Sequence, residues 1–355
     1  MNIKERNIVP EKKDLALDML RQIMEADELS FDQMARSILK TPGRPAEKKI
    51  RGARPAPSDH PALPVLDRLA SKKRLTLADR RIVRAIILPG LRPAFDIIED
   101  TFGSLPPEWE PINRQKLVMT KLIRAVGRVD YTGRDQVSRP IGTAFLVGPR
   151  LIMTNRHVAQ RFTSGVGDRL RVRFQAGCRP RLDLKQEVDS GETILLDVTA
   201  PILVHPRWDV ALLQVSEPPD RLAPLLLARD EIDALAGRLV AVIGYPAFNP
   251  QAGEEERLLQ RRMFRDVFDK KRLQPGKIMK PATRKIADSF KHFVEAVAHD
   301  CSTLHNNSGS ALIDIASGSV IGLHFQGRYL EANYALPAWE LAADERIAEA
   351  GVALA

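Results

Sequence analysis

The chain has 355 residues, 44% of them apolar and 28% charged, which is ordinary for a globular protein with a sizeable core. No stretch approaches 18 uninterrupted apolar residues, and the charged N-terminus lacks an apolar signal core, so we expect no membrane span and a cytoplasmic location. Two cysteines, Cys178 and Cys301, cannot build a disulfide framework, which agrees with a reducing compartment.

The net charge of +9 is concentrated in residues 251–285, which hold 11 Lys or Arg against 5 Asp or Glu. Such a segment can attract nucleic acid, acidic lipid or an acidic polypeptide, and it can also be a plain solvated surface. Aromatic residues make up only 5% of the chain and do not alternate with basic ones. A stacking platform for nucleic acid is therefore not indicated, and we do not expect nucleic acid as a partner.

The first third of the chain is predicted to be helical with one interruption. Residues 1–40 carry apolar side chains near helical spacing, with a second helix expected at 31–39 after Ser30. Residues 41–62 are rich in Pro, Gly and basic side chains, which is typical of a linker. Residues 63–114 are predicted to form a helical connecting segment with an apolar stripe over 77–87. We expect this region to be an interaction module that recruits a partner, oligomerises or occludes a cleft, and a prodomain is the simpler alternative.

From about residue 115 the pattern changes to short apolar or alternating runs separated by Gly, Pro, Asp and Asn. This pattern predicts an all-β sandwich or barrel over 115–340. The insertion 251–299 interrupts it with mixed helix and loop, and the best helical candidate covers 284–300. Residues 341–355 are predicted to form a short C-terminal helix.

The stretch STLHNNSGSALIDI places Ser308 in a small polar turn directly before an apolar run. A serine hydroxyl becomes an effective nucleophile only beside a base, usually histidine, that is oriented by a carboxylate. His157 follows the apolar strand LIMT, and Asp209 directly precedes the apolar run VALLQV. Each residue also has an ordinary explanation: a hairpin turn, a structural histidine and a turn-forming aspartate.

Four stretches carry a family resemblance. GTAFLVGPRLIMTNRHV, WDVALL and NNSGSAL resemble, in this order, the histidine, aspartate and serine motifs of trypsin-like serine peptidases. VIGLHFQG resembles the strand that walls the primary specificity pocket in the bacterial branch that includes the V8-like glutamyl endopeptidases. The chain is thus identified as a member of this family over about 115–340.

The resemblance implies a mainly β protein, with a two-barrel trypsin-like peptidase domain preceded by a small α-helical N-terminal region. It implies a serine endopeptidase that hydrolyses peptide bonds of proteins or peptides through an acyl-enzyme, with no cofactor and no metal. His157 would be the general base, Asp209 would orient its ring, and Ser308 would be the nucleophile. The N-terminal helical region would then serve as a regulatory or recruitment module, with a regulatory protein as a possible partner.

The oxyanion hole is where the sequence departs from the family. The resemblance assigns it to the backbone N–H groups of Ser308 and Asn306, but the family normally has Gly at the position of Asn306. Asn is the least unfavourable replacement, because it adopts the left-handed conformation more readily than other residues. A catalytically weak pseudoprotease or a peptide-binding scaffold is therefore the alternative function.

Substrate preference is suggested by three positions. Ser302 matches the base of the pocket, where trypsin carries an acid, so a preference for Lys or Arg is not expected. Thr303 and His324 match the residues that bind the substrate carboxylate in glutamyl endopeptidases, which implies an acidic P1 residue. The alternative is that both side chains only fill the packing between strand and loop.

Overall fold

The computed structural model describes residues 15–27, 62–71, 73, 75–76, 79, 83, 91–219, 222–328 and 331–355. The second helix predicted at 31–39 and all but the last residue of the predicted linker lie outside these ranges, as does most of the apolar stripe over 77–87. Within the described ranges, no helix combines the length and apolar character needed to cross a membrane.

The described front end consists of short helices and one short strand. The helices are α1 (Leu15–Asp27), α2 (Leu63–Ala70), α3 (Glu110–Arg114) and α4 (Lys116–Arg124). A 3-10 turn at Pro107–Trp109 precedes α3. Between α2 and this turn, strand β1 (Phe95–Asp96) pairs with the second barrel, so that this part of the predicted helical segment is extended.

The first barrel is an antiparallel sheet with the strand order β10-β4-β3-β2-β8-β9-β6, and an additional pairing of β10 with β9 closes it. Its strands are β2 (Val126–Thr132), β3 (Ser138–Gly148), β4 (Leu151–Thr154), β6 (Gly167–Asp168), β8 (Arg179–Asp183), β9 (Leu195–Val204) and β10 (Ala211–Val215). Strands β5 (Thr163–Ser164) and β7 (Arg173–Phe174) form a small separate pair, and a single helical turn, α5 (Arg156–Ala159), follows β4.

The second barrel has the order β1-β12-β11-β14-β15-β16-β13 and is closed by pairing of β12 with β13. Its strands are β11 (Leu239–Gly244), β12 (Arg272–Ala287), β13 (Phe293–His299), β14 (Ala311–Asp314), β15 (Val320–Arg328) and β16 (Ala332–Pro337). The chain ends in α7 (Ala338–Ala343) and α8 (Glu345–Glu349). The predicted fold class, a mainly β two-barrel protein with a small helical front end, is confirmed.

The helix predicted over 284–300 is wrong. These residues form the end of β12, a turn, and β13. Asp288 builds the turn, because its carboxylate accepts hydrogen bonds from the backbone N–H groups of Phe290 and His292, at 2.8 Å each. The helix of the insertion lies earlier, at α6 (Glu254–Phe264), where three glutamates in the first turn and two arginines in the last complement the helix dipole.

Two apolar clusters hold the described residues together. The larger one is shared by both barrels and includes side chains such as Phe145 and Val242. The smaller one joins α1, α2 and α6 through residues that include Leu20, Val65 and Leu259. The front end is thus packed against the insertion of the second barrel.

Candidate functional site

His157 and Asp209 meet where β4 ends and β10 begins, two neighbouring strands of the first barrel. Strand β4 ends at Thr154, and α5 then carries His157, whose Nδ1 lies 2.7 Å from Asp209 Oδ2. The backbone N–H of His157 donates to Asp209 Oδ1 at 3.0 Å. The Asp209 side chain is fully buried, whereas 29% of the His157 side chain is exposed. The aspartate therefore fixes the orientation of a ring whose other nitrogen is free to face a cleft.

Ser308 belongs to the second barrel and lies in the turn before β14. Gly309 follows it with φ at +89°, and a Cβ there would lie 2.0 Å from the carbonyl oxygen of Thr143 and 2.4 Å from Thr154 Oγ1. Only glycine fits, because both the backbone conformation and the close approach exclude a side chain. The Gly of the Asn-Ser-Gly-Ser stretch thus lets the serine loop touch the strands that lead to His157.

Hydrogen bonds between the barrels hold the serine loop in this place. The Thr143 N–H donates to the Ser308 carbonyl oxygen at 2.9 Å, and Thr143 Oγ1 donates to the Asn306 carbonyl oxygen at 2.7 Å. Ser308 Oγ itself makes no hydrogen bond to His157 in the described part of the chain. Such contacts between nucleophile and base commonly tighten only when substrate is bound.

Asn306 has φ at +66°, the left-handed conformation that its type tolerates best after glycine. The carbonyl oxygen of His305 accepts a hydrogen bond from the Ala247 N–H at 2.8 Å, so the N–H of Asn306 points to the opposite side of that peptide. Among the described residues, no group accepts a hydrogen bond from the backbone N–H of Asn306 or from that of Ser308. Both predicted oxyanion donors are therefore available to a ligand.

A buried pair of side-chain amides also supports the serine loop. The amide groups of Asn307 and Gln274 face each other, with N···O distances of 3.0 and 3.3 Å, and both side chains are buried. A Cβ at Gly244 would lie 2.3 Å from Asn307 Oδ1 and 2.2 Å from Ser310 Oγ. The loop is thus packed against the backbone of β11, which leaves it little freedom to move.

A pocket of about 310 Å³ lies beside Ser308. The barrel side is lined by the serine loop and β15, including Thr303 and His324. Residues of α6 and Met19 of α1 also line the pocket. Both residues predicted to bind the substrate side chain therefore reach the pocket, and the front end of the chain reaches it as well.

His324 is buried and stacked edge-on to a second histidine, His299, with 3.3 Å between His324 Nδ1 and His299 Nε2. Burial, reinforced by the positive charge of a protonated His157, lowers the pKa of His324 to about 3. Burial likewise lowers the pKa of His299 well below its usual value. Both rings are neutral at physiological pH, so the pocket wall offers a hydrogen-bonding group without charge.

The remaining predicted pocket residues have protein partners. Thr303 Oγ1 donates to Asn333 Oδ1 at 2.5 Å. Ser302 Oγ donates to the carbonyl oxygen of Arg92 at 2.6 Å. Asp300, two residues earlier, is buried in an ion pair with Arg92 at 2.7 Å. The charge of Asp300 is neutralised within the protein by this ion pair.

Sequence reasoning missed four residues that shape this site. They are Thr143, His299, Met19 and Leu259. Thr143 lies inside the motif GTAFLVG, and His299 ends the alternating run FVEAVAH, so local patterns could have drawn attention to both. Nothing local marks Met19 or Leu259, which reach the pocket only through tertiary packing. Within the described ranges, no group of three or more His, Cys, Asp or Glu is arranged to hold a metal ion.

The trypsin-like peptidase domain family matches residues 142–323, slightly more than half of the chain. The chain therefore belongs to this family, and it is a trypsin-like serine endopeptidase that acts on proteins or peptides. A comparison with curated proteins gave no match.

Several solved structures are similar to this chain. One is the active form of the protease Rv3671c from M. tuberculosis, which is 19% identical over 73% of this chain and 93% of that chain, with a TM-score of 0.44. The inactive form of the same protease is 20% identical over 70% and 98%, with a TM-score of 0.43. The HtrA-type protease AlgW with a decapeptide is 18% identical over 66% and 67%, with a TM-score of 0.44.

The neutral histidine pair predicts how stability depends on pH. An unfolded histidine binds a proton below about pH 6.5, whereas His324 in the folded protein does so only near pH 3. The unfolded state therefore binds more protons in this window, and the free energy of unfolding falls as the pH drops from 6.5 toward 3. Each such proton contributes a slope of about 1.4 kcal/mol per pH unit.

Urea unfolding of wild type and His324→Gln between pH 4 and pH 7 measures this slope. We expect the variant to have the shallower dependence by about the slope of one proton. His305→Gln, which removes an exposed imidazole, is the control and should leave the dependence unchanged. Equal slopes in wild type and His324→Gln would contradict the burial of a neutral ring.

Proposed function

We propose that the chain hydrolyses peptide bonds through Ser308, His157 and Asp209 by way of an acyl-enzyme. The observation that carries the proposal is the pairing of His157 with a fully buried Asp209, opposite a serine loop with two unused backbone N–H groups. In this reaction Ser308 Oγ attacks the carbonyl carbon while its proton passes to His157 Nε2. His157 then gives that proton to the leaving amine, and water hydrolyses the ester in the second half of the cycle.

A fluorophosphonate probe tests the nucleophile. Wild type is expected to react covalently at Ser308, and Ser308→Ala is expected to lose both labelling and peptide hydrolysis, with a rate loss of about 10⁴- to 10⁶-fold. Ser310→Ala is the matched control on the same loop, because Ser310 Oγ is buried without a partner in the described structure. A folded wild-type protein that binds peptides but is not labelled would instead be a pseudoprotease or scaffold.

Asn306 is the second residue whose role can be tested directly. We expect Asn306→Gly to keep kcat within a few-fold, because glycine adopts φ near +66° without strain. Asn306→Val should lower kcat about 100- to 1000-fold, since a β-branched residue disfavours this conformation and turns away one oxyanion donor. Thermal unfolding of both variants shows whether each remains folded. A valine variant that is folded and fully active would exclude the backbone of residue 306 from the oxyanion hole.

We also propose that the pocket favours an acidic P1 residue. Support comes from the position of His324, which lines the pocket beside Ser308. If His299 Nε2–H donates to His324 Nδ1, the Nε2–H of His324 is left to donate to a substrate carboxylate. The selectivity would then rest on a neutral donor, and Thr303, whose hydroxyl is bonded to Asn333, would act by holding the pocket wall.

Cleavage of peptides that differ only at P1 checks this preference. Wild type should favour Glu over Leu, and His324→Ala should lower the ratio of kcat/KM for Glu over Leu about 10- to 100-fold, the size of one hydrogen bond to a charged group. Arg328→Gln is the second arm, because Arg328 also lines the pocket and carries a charge. A preference lost in that variant alone would assign the selectivity to the guanidinium.

We further infer that the N-terminal helical region regulates the peptidase or recruits a partner protein. Its support is the apolar cluster that joins α1 and α2 to α6 next to the pocket. A change in the rate of hydrolysis when residues 1–27 are removed, or when a binding protein is added, is the measurement that checks this role.

A cytoplasmic location and a bacterial origin stay predictions. Cys178 and Cys301 both have free thiols, which is compatible with a reducing compartment. Cell fractionation with an antibody against the chain tests the location, and recovery from a membrane or an extracellular fraction would contradict it.

A further inference from the structure

We propose that Met19 of α1, with Leu259 and Met263 of α6, forms an outer wall of the P1 pocket, so that the N-terminal helix helps to select the substrate side chain. The proposal rests on the proposed function, because it assumes that the pocket beside Ser308 receives the P1 residue. It assigns a specificity role to side chains that lie outside both barrels.

The wall on α6 is one continuous face of the helix. Glu256, Leu259, Gln260 and Met263 all line the pocket, and their spacing of three, four and seven residues places them on one side. Gln260 is held by the Asn249 N–H, which donates to its Oε1 at 2.9 Å. The helix is therefore fixed to the loop that precedes it while its apolar side chains face the pocket.

The part of the wall on α1 is the side chain of Met19, and its helix is held in place by buried neighbours. Leu20 and Ile23 are almost completely buried in the cluster shared with α2 and α6, and α1 also packs against β12. Met19, next to Leu20, is 7% exposed and reaches the pocket. The helix is thus anchored by its neighbours, and Met19 is placed to contact a bound side chain.

Met19, Leu259 and Met263 line the pocket without filling it. About 310 Å³ remains with Met19, Leu259 and Met263 in place, whereas one water molecule needs about 10–15 Å³ on a comparable measure. Ser308, which lines the pocket, and His157 are both partly exposed, so the helices do not seal the site. A side chain that merely blocked the site would leave neither the space nor the access.

The chemistry of the wall indicates what it selects. Methionine and leucine offer apolar, adaptable surface, which favours the aliphatic part of a P1 side chain and limits its length. A pocket of fixed depth discriminates by about 10- to 200-fold for each methylene that does not fit. Shortening Met19 should therefore admit larger side chains without changing the reacting groups.

The experiment compares wild type, Met19→Ala and Met24→Ala on peptides with Leu or Phe at P1. Met24 is the matched control, because it lies half-buried in the same cluster on the same helix but does not line the pocket. We expect Met19→Ala to raise the ratio of kcat/KM for Phe over Leu about tenfold or more. Met24→Ala should leave the ratio unchanged, and Leu259→Ala should change it in the same direction as Met19→Ala.

The absolute rates of Met19→Ala distinguish a wall from an obstruction. An outer wall predicts that this variant reacts faster with the Phe peptide and changes little with the Leu peptide. A faster reaction on both peptides by the same factor would mean that Met19 blocks the site, and it would overturn the proposal. An unchanged ratio in a folded Met19→Ala variant would overturn it as well.

A binding measurement keeps this test independent of turnover. Peptides that end in Leu or Phe can be titrated calorimetrically against Ser308→Ala with and without the Met19→Ala change. We expect the added change to shift the ratio of the two Kd values toward Phe about tenfold. A shifted ratio, together with a wild-type protein that neither hydrolyses peptides nor reacts with the probe, would exclude the proposed function alone. An unshifted ratio, together with an active wild-type enzyme, would exclude the outer wall alone.

Discussion

The contact of Thr143 with the serine loop is the interaction on which the rest of the site depends. Thr143 is completely buried, its N–H and its hydroxyl both donate to that loop, and its carbonyl oxygen accepts from Thr154 Oγ1 at 2.7 Å. Thr154 ends the strand that leads to His157. One residue therefore connects the serine loop of the second barrel to the strand of the first barrel that leads to His157, and Gly309 permits the close approach. Buried hydrogen bonds of this kind fix geometry because breaking one leaves an unpaired polar group.

The parts of the site that sequence could predict are those encoded locally. The turn around Ser308, the strand that ends before His157 and the aspartate before β10 each follow from a short pattern. Asn306 is a residue type that tolerates the left-handed conformation it adopts, although the type alone does not predict that conformation. The all-β character from 115 onward follows from strand-length apolar runs. The two-barrel arrangement required the family resemblance, because periodicity alone does not distinguish a barrel from a sandwich.

The parts that could not be predicted depend on partners distant in sequence. Residues 284–300 contain Ala, Glu and Lys, which favour a helix, yet barrel closure requires β12 and β13 to pair. Within β13, Phe293 and Glu295 face solvent while Val294 and Ala296 are buried, a strand period that helix propensity obscured. Met19 lies more than 200 residues away in sequence from the other residues that line the pocket. No local signal encodes such a contact, because it arises only from the packing of α1 against α6.

The electrostatics of the pocket constrain how an acidic side chain could be chosen. His324 is neutral and Asp300 is neutralised by Arg92, whereas Glu256 brings a carboxylate and Arg328 brings a guanidinium to the lining of the pocket. The charges of Glu256 and Arg328 offset each other, so the pocket offers no net positive charge, and the positive segment 251–285 cannot be equated with a binding site for acids. Selection of an acid would come from the N–H of His324 or the guanidinium of Arg328, together with the depth that the outer wall allows. The two features are separable, because the donor belongs to the barrel and the depth belongs to the helices. On this proposal, substitutions on α1 would change the length of side chain that the peptidase accepts, while His157, Asp209 and Ser308 stay in place.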